Sequence, residues 1–147
     1  MASTDVFMDT GGFHALWDTS DEHHERATRL QSELARKKRR FVTTDYILDE
    51  TVTLLLARHS HAAAADFLQT VTRSEALHLE WVDSDRFHAA ADFFTRHQDK
   101  EWSFTDCVSF SMMRELNIRD AFTTDHHFRQ AGLNPLLEKA GKKYEAV

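Results

Sequence analysis

Four carboxylates in this chain, Asp9, Glu50, Asp106 and Asp125, stand where their type and spacing could do chemistry. Asp9 closes the apolar run Val6-Phe7-Met8, and Asp125 closes Ala121-Phe122-Thr123-Thr124. Asp106 opens a helical segment. Glu50 lies three residues after Ile47 and four before Leu54, on a helix face that should be apolar. Asp106 likewise precedes Phe110 and Met113 on an inward face. A carboxylate turned inward is costly unless it is paired or holds a metal. Carboxylates that converge repel one another, and a hard cation such as Mg²⁺ or Mn²⁺ relieves that repulsion. Such an ion can activate water for attack on a phosphodiester.

Each acid also has a plainer reading. Asp9 could cap the helix that follows it, and Asp125 could be an ordinary N-cap. Asp106 could be the acid of a capping box opened by Ser103 in Ser-Phe-Thr-Asp. Glu50 is the hardest to dismiss in this way. Singly, each Asp reads as structural; together at one edge, beside an inward Glu, they read as a site.

The elements that must position these acids follow from the hydrophobic pattern. Asp5–Met8 reads as a first strand, Gly11-Gly12 as a turn, and Phe13, Leu16 and Trp17 as one face of a helix. Ser20-Asp21 looks like the cap of a second helix running to about Lys38. A strand over Phe41–Thr44 precedes a helix over Asp45–Arg58, with Asp45 as its cap. Helices over His61–Thr72, around Phe87–Phe94, and over Thr105–Leu116 alternate with strands at Leu77–Val82 and Ala121–Thr124. A helical turn over Asp125–Ala131 leads to an edge strand at Leu133–Leu137, where the sole proline, Pro135, is tolerated. Strands alternating with helices imply crossover connections and a parallel sheet, so the fold class is α/β. Ligands bind such sheets beyond the carboxyl ends of the strands, which is where these acids fall.

Composition bounds the alternatives. The chain has 147 residues, 41% of them hydrophobic, with eleven Phe and three Trp. That suits one folded domain, expected over residues 1–137, with a Lys-rich tail over 138–147. One cysteine, Cys107, excludes an internal disulfide and Cys-x-x-Cys metal sites. Its apolar neighbours suggest a small buried hydrophobe. Neither a signal peptide nor a membrane span is evident, so the cytoplasm is the expected compartment. A net charge of −6 is awkward for a nucleic-acid binder, but acids that hold a metal are negative only in the tally. The basic run Arg36-Lys37-Lys38-Arg39-Arg40 ends a helix and enters a strand at the pole opposite the acids, and reads as a solvated helix end. Ten His invite a zinc reading, but no two of them show the i, i+4 spacing of a helical zinc site. His126 and His127 adjoin Asp125, where either could meet a phosphate, although surface histidines are the commoner case.

Four segments, in order, resemble the PIN domain and within it the VapC-like toxin group. They are Val6-Phe-Met-Asp9-Thr-Gly-Gly-Phe, Thr44-Asp-Tyr-Ile-Leu-Asp-Glu50-Thr, Trp102-Ser-Phe-Thr-Asp106-Cys-Val-Ser-Phe and Ala121-Phe-Thr-Thr-Asp125-His-His-Phe. The resemblance runs from Val6 to about Leu137. It implies a three-layer α/β/α sandwich around a parallel sheet of four to five strands. It also implies a metal-dependent endoribonuclease that cleaves single-stranded RNA, with Mg²⁺ or Mn²⁺ held by Asp9, Glu50, Asp106 and Asp125. Thr10 and Thr105 match hydroxyl positions near the acids, though both could simply be capping residues. The implied partners are a small antitoxin and a second copy of the chain. The apolar content of the helices near Phe67, Leu68 and Phe93-Phe94, more than one small domain is expected to bury, points the same way. Two readings stand beside this one: a housekeeping RNA-processing nuclease without an antitoxin, and a module that binds RNA or protein without cleaving.

Overall fold

The computed structural model describes residues 2–138; the expected tail, from residue 139 on, lies outside the described residues. Five strands form one sheet in the order β3-β2-β1-β4-β5, every neighbouring pair parallel. The strands are β1 (Ser3–Met8), β2 (Phe41–Thr44), β3 (Leu77–Glu80), β4 (Ile118–Phe122) and β5 (Asn134–Pro135). β1 is central, pairing Phe7 with Val42 of β2 on one side and with Ala121 of β4 on the other. Buried from both faces, Val6 and Phe7 are fully enclosed.

Between β1 and β2 lie α1 (Thr10–Trp17) and α2 (His24–Arg36); between β2 and β3 lie α3 (Asp45–Arg58) and α4 (His61–Arg73). These connections step outward on one side of β1. The chain then crosses back through α5 (Ser84–Arg96) and α6 (Phe104–Glu115) to β4, and α7 (His127–Gln130) leads on to β5. Right-handed crossovers stepping in opposite directions place their helices on opposite faces, giving the α/β/α sandwich. Helix contacts agree: α1 packs on α2 and α3, α3 on α4, and α5 on α6. The strand order reverses between β1 and β4, and the crevice at their carboxyl ends is the favoured ligand position of such sheets.

Several local expectations are corrected. Gly11 and Gly12 are not a turn but lie in the first turn of α1. A Cβ on Gly12 would stand 2.0 Å from the Phe122 carbonyl oxygen, so this glycine exists to let α1 touch β4. The second helix starts at His24, because Asp21 Oδ1 accepts the His23 amide at 2.7 Å and spends a turn on a local loop first. Thr44, not Asp45, caps α3, accepting the Ile47 amide. Asp45 instead accepts the Val82 amide at 2.9 Å and ties α3 to the end of β3. β4 begins earlier than its apolar run, at Ile118, after Asn117 in the left-handed region (φ 56°) that Asn tolerates. Glu138, assigned to the tail, is ion-paired to Arg129 at 2.8 Å. Phe67 and Phe93 are absorbed by the monomer's own core; among large apolar side chains Leu56, Leu68, Trp81, Phe87 and Phe94 stay exposed.

The basic run sits at the amino ends of the strands, as expected from its place in the chain. Arg39 pairs with Asp120 at 2.6 Å, Arg40 with Asp5 at 2.8 Å, and Lys37 with Glu33 at 3.2 Å. No helix among the described residues is long and apolar enough to cross a membrane.

Candidate active site

Asp9 follows directly on β1 and occupies the N-cap position of α1, yet its side chain makes no capping hydrogen bond. The carboxylate is buried, and the Thr123 hydroxyl donates to its Oδ2 at 2.7 Å. The same Thr123 oxygen accepts the Asp125 amide at 3.1 Å. One buried threonine just past β4 therefore fixes an acid on each side of the strand-order reversal.

Glu50 comes from the second turn of α3. The Thr10 hydroxyl, at the start of α1, donates to Glu50 Oε1 at 2.5 Å and is itself within 3.3 Å of the buried Thr51 hydroxyl. Thr105 is half-buried in the first turn of α6, one residue before Asp106.

Asp106 fulfils the plainer reading. It completes a capping box with Ser103: its amide donates to Ser103 Oγ at 3.0 Å, and its Oδ2 accepts the Ser103 amide at 3.2 Å. Asp125 likewise accepts the His127 amide at 2.9 Å. The capping box holds Asp106 in place and an i, i+2 turn bond holds Asp125, which precedes His126, the N-cap of α7. His127 then stands between them, its Nδ1 3.3 Å from Asp125 Oδ1 and 3.5 Å from Asp106 Oδ2, whereas His126 points to solvent.

The electrostatics link all four acids. The carboxyl of Asp9 is pushed up to about 7, chiefly by burial; the Thr123 hydrogen bond lowers it, and the charges of Asp106, Asp125 and Glu50 raise it further. Asp106 is also raised, by burial and then by Asp125, with His127 opposing. A carboxyl raised chiefly by burial, with three acids near it and a single hydroxyl donor, lacks a counter-charge. Four carboxylates facing one crevice would suit a hard divalent cation; among the described residues, the side chains at this edge whose ligand atoms lie within 4.8 Å of one another are Asp125, His126 and His127. Cys107, one residue on, is buried, and its thiol is pushed up to about 11 by burial and by Asp106; it is no nucleophile.

Beside the acids runs an aromatic shelf. The Phe104 ring, two residues before Asp106, lies 6.2 Å from Tyr46, 5.4 Å from Phe87 and 6.0 Å from Phe94.

Reading the motifs singled out the four acids and Thr10 but missed Thr123 and the bridging place of His127. The doubled Thr-Thr before Asp125 was the available signal for Thr123; nothing in sequence distinguishes His127 from His126.

Residues 6–133 match the PIN domain model, and this chain belongs to the PIN-domain family. Within it the chain is a VapC-like ribonuclease. It is 37% identical over 131 residues to the 23S rRNA-specific endonuclease VapC20 of Mycobacterium tuberculosis, covering 86% of this chain and 94% of that protein. It is 30% identical over 116 residues to a VapC ribonuclease of Archaeoglobus fulgidus, covering 78% and 73%. The crystal structure of M. tuberculosis VapC20, described as a sarcin-ricin loop cleaving toxin, superposes with a TM-score of 0.80 at 33% identity, over 88% of this chain and 96% of that one. The chain is accordingly a metal-dependent endoribonuclease of the toxin–antitoxin kind.

Proposed function

We propose that Asp9, Glu50, Asp106 and Asp125 together hold Mg²⁺ or Mn²⁺ and that the loaded pocket cleaves an exposed single-stranded stretch of structured RNA. The observation that carries this reading is Asp9: a buried carboxylate at the end of β1 that makes no capping bond, is held by the Thr123 hydroxyl alone and faces the charges of Asp106, Asp125 and Glu50. When bound, the divalent ion supplies Lewis-acid chemistry, activating water and stabilising the leaving oxygen of the phosphodiester. The protein's part is placement. Thr123 orients Asp9, Thr10 orients Glu50, the capping box fixes Asp106, and the turn bond to the His127 amide fixes Asp125. His127, beside two of the acids, is placed to meet a phosphate oxygen at the rim. The shelf of Tyr46, Phe87, Phe94 and Phe104 offers faces on which splayed bases can stack, the usual route to single-stranded RNA recognition.

The relative named for 23S rRNA makes a ribosomal RNA loop the first substrate to test. A small antitoxin whose Arg or Lys enters the acidic pocket would block ion and RNA at once. The protein acts in the cytoplasm, as a homodimer through an exposed apolar surface that includes Leu68. The test is expression of the chain alone, alongside cleavage of a sarcin–ricin-type RNA hairpin with and without chelator. Growth arrest relieved by Asp9→Asn, with chelator-sensitive cleavage, is expected. Cleavage indifferent to chelator would overturn the metal assignment; harmless expression of an active enzyme would overturn the toxin role.

A further inference from the structure

A second cluster of ligand-type side chains lies on the same two helices, away from the acids. His14 is on α1, Asp18 is its C-cap, and His59 is the C-cap of α3. The α1 and α3 helices run side by side from the acid edge, with Thr10 bonded to Glu50 at the start and Asp18 beside His59 at the end. Eight residues of helix separate Thr10 from Asp18, about 12 Å at the usual rise, so this cluster is distinct from the acid pocket.

Its geometry is that of a prepared metal site. The Nε2 atoms of His14 and His59 lie 3.5 and 3.6 Å from Asp18 Oδ2, and one ligand atom from each of the three residues falls within 4.8 Å of the others. Tetrahedral ligands about 2.0–2.1 Å from an ion are about 3.3–3.4 Å apart, so two edges of such a tetrahedron are nearly formed.

The surroundings orient each ligand. Asp21 Oδ2 lies 3.0 Å from His14 Nδ1, and an N–H there leaves the Nε2 lone pair facing the cluster; this is the carboxylate–histidine arrangement that supports metal-bound imidazoles. The residue is buried to 7% exposure, and its Nε2 has no hydrogen-bond partner. An orphaned nitrogen of this kind calls for an occupant. Asp18 is held by its other oxygen: Oδ1 accepts the Ser20 hydroxyl at 2.6 Å and the Ser20 amide at 2.9 Å, leaving Oδ2 toward the imidazoles. His59 is one-third exposed, which gives an ion a way in and leaves room for a water as fourth ligand.

We infer that His14, Asp18 and His59 form a second divalent-metal site, selective for zinc-like borderline ions over Mg²⁺. Two imidazoles and one carboxylate favour Zn²⁺ and its first-row neighbours, whereas the all-oxygen pocket favours harder ions. An ion here would clamp the end of α1 to the turn between α3 and α4. It would thereby fix the spacing of the two helices that carry Thr10 and Glu50 at their other ends. The separation of His14 and His59 by 45 positions, on different helices, hides the site from any reading of histidine spacing along one helix.

The experiment is Zn²⁺ titration of tag-free full-length protein by calorimetry, with Co²⁺ absorption as a geometric readout. One tight equivalent should bind and raise Tm, apart from any weaker binding by the acid pocket, and Co²⁺ should show the intense visible bands of four-coordination. Asp9→Asn should leave this binding intact. His59→Ala, at a one-third-exposed cap, should weaken it at least ~10-fold, and Asp21→Asn should weaken it by ~10-fold through the orientation of His14. Absence of saturable one-to-one binding would overturn the proposal, leaving two ion pairs on Asp18. So would binding lost in Asp9→Asn but untouched in His59→Ala, which would assign the zinc to the acid pocket.

Discussion

Thr123 and Asp9, 114 positions apart, share a buried hydrogen bond of 2.7 Å that crosses the point where the strand order reverses. Because the same hydroxyl oxygen accepts the Asp125 amide, Thr123 sets the spacing of two acids at once. Thr123→Val keeps the volume and removes both bonds. The expected result is a folded protein, destabilised by about 1–2 kcal/mol, whose affinity for Mn²⁺ falls ~10-fold or more. Denaturant unfolding and metal titration measure the two effects separately; unchanged affinity would mean that Asp9 needs no support from β4.

Asp9 also gives the apo protein a pH signature. Its folded-state carboxyl sits at about 7, against an ordinary value of 3.8. The raised value means that folding favours the protonated acid. Its contribution to stability is therefore complete below about pH 4 and lost as pH rises toward 7, a change of a few kcal/mol. Without metal, Asp9→Asn should raise Tm at pH 8 and leave it nearly unchanged at pH 4. Metal needs the ionised acid, so affinity for Mg²⁺ should climb up to ~10-fold per unit until about pH 7 and then level off. Thermal melts and metal titrations across pH 4 to 8 check both trends.

The packing of α1 on β4 leaves no room at Gly12, where an added Cβ would meet the Phe122 carbonyl oxygen and ring. Gly12→Ala must displace α1, the helix that begins beside Asp9 and Thr10. A loss of ~3 kcal/mol or more is expected, with cleavage reduced beyond the unfolded fraction. Gly11→Ala, where the new Cβ meets neighbours at 3.5 Å, should be far milder. Parallel chemical denaturation of the two variants tests the contrast.

The basic run is engaged at the opposite pole, with Arg39 and Arg40 committed to Asp120 and Asp5. Replacing Lys37 and Lys38 by Gln should leave the salt dependence of RNA binding unchanged, whereas each lost phosphate contact would reduce its slope by about 0.7–0.9. Filter binding over a salt series decides this.

The parts of this molecule legible in its sequence are those fixed by neighbours along the chain. The α5 helix, Ser84–Arg96, follows from the spacing of Phe87, Ala90, Ala91 and Phe94, and the three Asp stand out because each lies where an element ends or opens, whereas Glu50 stands out on an inward helix face. Features set across the fold were hidden. The reason for Gly12 lies at Phe122, the role of Thr123 lies at Asp9, and the pairing of His14 with His59 depends on two helices lying side by side. Asp106 shows that competing readings need not exclude each other, since one carboxylate both closes a capping box and faces the acid pocket.

The most direct test of the central claim is single-turnover cleavage of one RNA hairpin by wild type and Asp9→Asn over a Mn²⁺ titration, with folding verified by circular dichroism. The account predicts saturable, metal-dependent cleavage by the wild type and no more than the metal-free background from the folded variant at any Mn²⁺ concentration. Full cleavage by Asp9→Asn at the same Mn²⁺ midpoint would contradict it.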